Sequence, residues 1–369
     1  DSMAENFNRV LTIGRTAHLT EPKNGRGVCQ SRNLCWRGCP YGAYFSSNAA
    51  SIPAAEATGN MFLRPNSIVD SVIYDEEKGK ATGVRVIDAE TLETMEFYAK
   101  VIFLNASTIN TALIMLNSRS DRFPDGLGND SGELGHNIMD HHFRVGANGI
   151  YEGFGDQYYI GRRPNGIYIP RYQNIGQESK RDYLRGFGYQ GGGSREEWER
   201  GVSELGVGRE LKGLLQQPGD WKVGITAFGE VLPDHNNKVS LDFDKRDKWG
   251  QPTMVMDADF GENEHRMRAD MKNDAAEMLE AAGFKNVTTF DDIGGMGLGI
   301  HEMGTARMGR DPKTSVLNKW NQVHACKNVF VTDGACMTSG ACQNPSLTYM
   351  ALSARAANYA ADELNKGNL

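Results

Sequence analysis

No stretch of this 369-residue chain approaches about eighteen consecutive apolar residues, so no membrane-spanning helix is expected. The opening DSMAENFNRVLTIG lacks the charged-then-apolar order of an export signal. There is no run of basic residues and no basic stripe; 40 Lys+Arg against 47 Asp+Glu leave a formal net charge of -7. That balance demotes nucleic acid and anionic membrane as partners. No fixed-period repeat occurs, which excludes solenoids and propellers. Proline is scarce, with 12 residues, and the six cysteines sit in a chain far longer than the short secreted domains that rely on disulfide frameworks.

What the sequence does have is glycine, 43 residues against a usual share of about 7%. With so little proline, this favours tight turns and close backbone approach over disorder. At about 150 residues per domain, the length predicts two domains. Residues 67–104 read as an antiparallel meander feeding a buried strand: SIVDSVIYD, ATGVRVIDA, TMEFYA and KVIFLNA. A helix follows over STINTALIMLNS, with Ser107 or Thr108 as its N-cap. From about 143 to 258 the aromatic segments YIGRRPNGIYIP, DYLRGFGYQGGG and WKVGITAFGEV alternate with turn residues, a pattern suited to a sheet that walls a pocket. Residues 261–284 predict a helix with Met267, Met271, Met278 and Leu279 on one face and Gly283 as its C′ residue. KNVFVTDGA reads as a short strand ending in a turn, and SLTYMALSARAANYAADELNK as a closing helix.

The run HEMGTARMG from His301, the strand ending in Asp333 and Gly334, and Asn344–Pro345 opening the last helix occur in this order. Together they resemble the C-terminal signature of the glucose-methanol-choline (GMC) oxidoreductases, which use FAD to oxidise alcohols. GELGHNIMDHH at 132–142 resembles that family's Gly-x-Asn-x-x-Asp-His turn, and LPDHNNKVSLD at 232–242 its strand before the substrate-domain helix. The resemblance covers roughly residues 26–365. It implies an α/β plus α+β fold, with a partial FAD-binding domain (FAD/NAD(P)-binding type) and an antiparallel-sheet substrate domain. Residues 1–142 would hold the C-terminal part of the FAD-binding domain, 143–290 the substrate domain, and 291–369 the return to the FAD side. The family's opening strand, G-x-G-x-x-G turn and helix have no counterpart here. GGMGLG at 294–299 follows no clear strand, so the chain looks like the C-terminal two-thirds of a longer protein.

Oxidising an alcohol requires a base for the hydroxyl proton and a group that holds the oxygen. His301 is the candidate base: imidazole titrates near neutrality, and Gly304, Thr305 and Gly309 let the backbone approach a flat ring system. Asn344 precedes a proline, which biases it away from helical geometry; it reads as an N-cap or as a group turned into a site. The resemblance makes it the second catalytic residue, steadying the substrate oxygen while hydride passes to the flavin N5. It also assigns cofactor contact to Asp333, Gly334, Asn344 and Pro345, where an ordinary strand-ending turn and helix start are the alternative.

Cys29, Cys35 and Cys39 form C-x5-C-x3-C followed by Pro40. Thiolates so spaced can converge on an iron–sulfur cluster, and a subset of sugar dehydrogenases in the family is similar here; one disulfide or buried thiols are the other readings. A zinc site would need a fourth ligand, for which His18 is the only nearby histidine. Cys326, Cys336 and Cys342 read as packing residues. The resemblance points to a dehydrogenase acting on a sugar or glycoside, with an electron-accepting protein or cytochrome and the absent N-terminal FAD-binding segment as partners. An oxygen-using oxidase and a non-catalytic fragment unable to hold FAD are the rivals.

Overall fold

A computed structural model describes residues 2–32, 34–157, 166–195, 207–216 and 219–369. Of the segment YIGRRPNGIYIP at 159–170, residues 159–165 lie outside the described residues. Contact clustering separates two units, one of Asp1–Leu63, Phe143–Gly229 and His265–Ile293, the other of Arg64–His142, Glu230–Glu264 and Gly294–Leu369.

The first unit is built on a six-stranded sheet. In order across the sheet lie β1 (Thr12–Ile13), β7 (Ile167–Ile169), β8 (Phe187–Arg195), β9 (Trp221–Gly229), β6 (His142–Tyr151) and β12 (Lys285–Asp291). Alternation puts Phe187, Tyr189, Ile225 and Ala227 on one face, where they form a core with Met267, Met271, Met278 and Leu279. Those methionines belong to the helix Glu262–Ala281, and Gly283 ends it at φ 87°, a left-handed conformation that glycine adopts without strain. A buried polar cluster braces the same helix: Arg9 pairs with Asp274 at 3.2 Å and stacks on Tyr172 at 3.9 Å, while the Tyr172 hydroxyl donates to Asp274.

In the second unit, β2 (Ser67–Asp75), β3 (Lys80–Asp88) and β4 (Thr94–Tyr98) form the expected antiparallel meander. Gly83 is obligatory in it, because a Cβ there would lie 2.2 Å from the Phe97 carbonyl oxygen. β5 (Ile102–Leu104) pairs in parallel with β14 (Cys326–Val331), which pairs on its other side with β13 (Gln322–Val323). Asn105, just past β5, accepts the Thr332 hydroxyl at 2.6 Å and so ties the ends of the two parallel strands together. β10 (Lys238–Arg246) and β11 (Pro252–Asp257) form a separate hairpin in this unit.

The helix Thr108–Asn117 stands where the sequence puts it, but no side chain caps it. Ser107 occupies the N-cap position at φ 72° without a capping hydrogen bond, and the Thr108 hydroxyl is drawn instead to the Glu302 carbonyl at 2.5 Å. The closing helix spans Ser346–Asn365, with Pro345 at its N-cap position, one residue later than the sequence expectation. Among the described residues no helix is long and apolar enough to cross a membrane.

Candidate active site

The segments that carry the motifs are hydrogen-bonded to one another. The run from Met303 to Met308 lies between two others. On one side Met303 and Met139 exchange backbone hydrogen bonds (2.8 and 2.9 Å), and Thr305 exchanges with Gly135 and His136. On the other, the N–H groups of Gly304, Ala306 and Met308 donate to the carbonyls of Gly334, Ala335 and Cys336. The 132–142 turn is held in turn by 237–239, through Ile138 N–H to the Asn237 carbonyl and Val239 N–H to that of Gly135. Gly304 fits because it is glycine: it has φ 91°, and a Cβ would sit 2.1 Å from the Asn137 carbonyl.

His301 opens this run, half-buried, with the ring of buried His141 edge-on at 4.9 Å between centroids. Burial lowers its pKa, and the Asp140 charge partly opposes that shift. Its Nδ1 is buried with no hydrogen-bond partner among the described residues. Glu302, the next residue, is raised above the usual carboxylate range by burial and by Asp140.

Asp333 caps the short 3-10 turn Gly334–Cys336 by accepting the Ala335 N–H at 2.9 Å, and it accepts the Thr111 hydroxyl at 2.5 Å. Burial nevertheless raises its pKa. Gly334 is enclosed; a Cβ there would lie 2.3 Å from both the Glu302 carbonyl and the Thr108 hydroxyl, and 3.1 Å from the Tyr349 hydroxyl. Pro345 is buried and its carbonyl accepts the first helical N–H groups, from Thr348 and Tyr349, while Asn344 is exposed beside it. The Tyr349 hydroxyl is itself buried without a hydrogen-bond partner among the described residues. Burial, Cys336, Asp333, Glu302 and Asp140 all hold it protonated.

Two residues of this constellation, Asp140 and Tyr349, were not singled out as site residues by sequence reasoning. Asp140 carried a signal, its place before the paired histidines of the 132–142 motif, but Tyr349 carried none. His324 is half-buried and lies 3.0 Å from the Ser315 hydroxyl.

The cysteine readings separate. None of the six cysteines is in a disulfide among the described residues: Cys326, Cys336 and Cys342 are buried, and burial pushes Cys326 to about 11 and Cys336 to about 12. Cys29, Cys35 and Cys39 are half-exposed, with the Cys35 Sγ 3.5 Å from His18 Nε2. Among the described residues no three His, Cys, Asp or Glu side chains form a group that could hold a metal. Burial and the neighbouring Cys29 and Cys39 thiols push the Cys35 thiol up.

Within the second unit, glycine-permitted loops thus gather a half-buried histidine, a buried aspartate turn and the start of the last helix at the end of a parallel strand pair. The chain belongs to the GMC oxidoreductase family: its N-terminal family model matches residues 13–143 and its C-terminal model residues 233–353. The chain is 31% identical over 350 residues to 2-methyl-1,2-propanediol dehydrogenase of Mycolicibacterium austroafricanum, covering 93% of this chain and 62% of that protein. It is 28% identical over 354 residues to the fructose dehydrogenase large subunit of Gluconobacter japonicus, covering 95% and 63%. It thus spans less than two-thirds of the length of these relatives. A formate oxidase of Aspergillus oryzae RIB40 shares the fold, with a TM-score of 0.61 at 16% identity over 88% of this chain and 64% of that one.

Proposed function

We propose that this chain carries the catalytic loops of a FAD-dependent dehydrogenase that oxidises a CH–OH group of a sugar, glycoside or related polyol. The observation that carries this reading is the interlocked run 303–308, which joins the segment after His301 to the turn after Asp333, while His301 Nδ1 and the Tyr349 hydroxyl are buried without a hydrogen-bond partner among the described residues. Such orphans, with a turn so tight that only glycine fits at 334, suit a bound group with donors and acceptors of its own. The Asp333–Gly334 turn, Asn344 and Pro345 would hold FAD, which when bound supplies the two-electron acceptor for hydride from the carbinol carbon.

The protein's part is to manage the oxygen and its proton. His301, kept neutral by burial, accepts the hydroxyl proton. Asn344 donates its amide to the oxygen as charge develops there. The unit built on the six-stranded sheet presents the substrate, and the unit of 64–142, 230–264 and 294–369 forms the cofactor side. Support for a polyol comes from relatives named for a diol and for fructose, and the relative named as a large subunit supports an electron-accepting partner protein. No step is assigned to an iron–sulfur cluster.

The test is His301→Ala in the holoenzyme. Bound-flavin absorbance should be unchanged while flavin reduction by substrate falls about 10²- to 10⁴-fold; reduction at the wild-type rate would refute the assignment. Peroxide release during turnover separates an oxidase from the dehydrogenase proposed.

A further inference from the structure

Asp140 is almost fully buried, at 4% exposure, on the turn that leads into β6. Its Oδ2 accepts the N–H of Gly297 at 3.0 Å and of Gly299 at 2.7 Å, and its Oδ1 accepts that of His141 at 2.7 Å. Hydrogen bonds to a carboxylate are among the stronger ones, and these tie down the loop that runs straight into His301. The approach is possible only because residue 299 is glycine, since a Cβ there would lie 2.2 Å from Asp140 Oδ1.

The residue between clamp and histidine shows what is being held. Ile300 sits at φ 66°, an outlying conformation for a β-branched side chain, yet it is 84% exposed, so side-chain packing does not impose it. The backbone bonds on either side do. Behind Ile300 are the two N–H groups on Asp140; ahead of it are the paired bonds between Met303 and Met139. His301 is therefore strung between two anchors on adjacent residues of one turn.

We propose that Asp140 is a positioning residue for His301, fixing the imidazole through the hydrogen bonds its buried carboxylate accepts from the 297–299 loop. The proposal rests on His301 being the base. Titratable groups around this position are Asp140 and His141 from the turn before β6, Glu302 from the loop itself, Tyr349 from the last helix and Asp333 from the turn after β14. The Asp140 charge raises the His301 pKa against the effect of burial, so neutralising it lowers that pKa further.

The experiment is Asp140→Asn in the holoenzyme with 13C-labelled histidine, the His301 resonance being identified by its loss in His301→Ala. The His301 titration midpoint should fall, and the rising limb of flavin reduction against pH should move down with it. The limiting reduction rate should drop about tenfold or more at little changed KM. An unchanged midpoint overturns the proposal whatever the rate does. If Asp140→Asn does not fold, Gly299→Ala is used: it keeps the charge but forces the loop off the carboxylate, so reduction should slow at unchanged flavin content, and a wild-type rate overturns the clamp. A shifted midpoint in Asp140→Asn alongside wild-type reduction in His301→Ala would instead refute His301 as the base, and with it any catalytic role for Asp140.

Discussion

His301 is held between burial, which favours neutral imidazole, and Asp140, which favours the protonated form; burial wins. A base must be unprotonated to act, so flavin reduction should be lost as pH falls through a midpoint below the ordinary histidine value of 6.5. Stopped-flow reduction across pH measures this, and a midpoint above 6.5 would contradict it. At Gly334 the constraint is steric. Gly334→Ala places a methyl 2.3 Å from a backbone carbonyl, and overpacking of this kind costs about 1–3 kcal/mol; thermal unfolding should register the loss, together with weaker flavin retention. His301, Asp333 and Asn344 could be singled out from sequence because they stand in short motifs whose order survives in one dimension. The value of Asp140 was not, because it accepts hydrogen bonds from residues 157 and 159 positions away.

Elements whose pattern is local were readable in full. The meander of β2, β3 and β4 follows from alternation and turn residues, and the helix Glu262–Ala281 from its methionine spacing. Met271 is fully buried in the core of the first unit, so Met271→Ala should cost about 2–5 kcal/mol in denaturant unfolding. Asn273→Ala, on the exposed face of the same helix, should change stability by less than about 0.5 kcal/mol. Asp274 could not be read as more than a helix-face acid, because its partners Arg9 and Tyr172 come from distant segments. Removing it leaves a buried guanidinium unpaired, and Asp274→Ala should cost about 3–5 kcal/mol. The missing side-chain cap at Thr108–Asn117 has the same origin, since the Thr108 hydroxyl is bound to a carbonyl 194 residues away.

Over the whole molecule, the family resemblance implied three consecutive segments, whereas the fold gathers residues 1–63 with 143–229 and 265–293. Nothing in local pattern announces that β1 will pair with β7, Thr12 opposite Tyr168. Cys29, Cys35 and Cys39 show the converse: close in sequence, they also lie near enough in the fold for Cys29 and Cys39 to push the Cys35 thiol up, in addition to burial.

The central claim is that His301 removes the hydroxyl proton of a polyol while bound FAD is reduced. Anaerobic mixing of the holoenzyme with a panel of diols, sugars and glycosides, followed at the flavin absorbance, tests it most directly. The account predicts bleaching by at least one of them, lost in His301→Ala at unchanged flavin content. Equal bleaching in the wild type and the variant would contradict it.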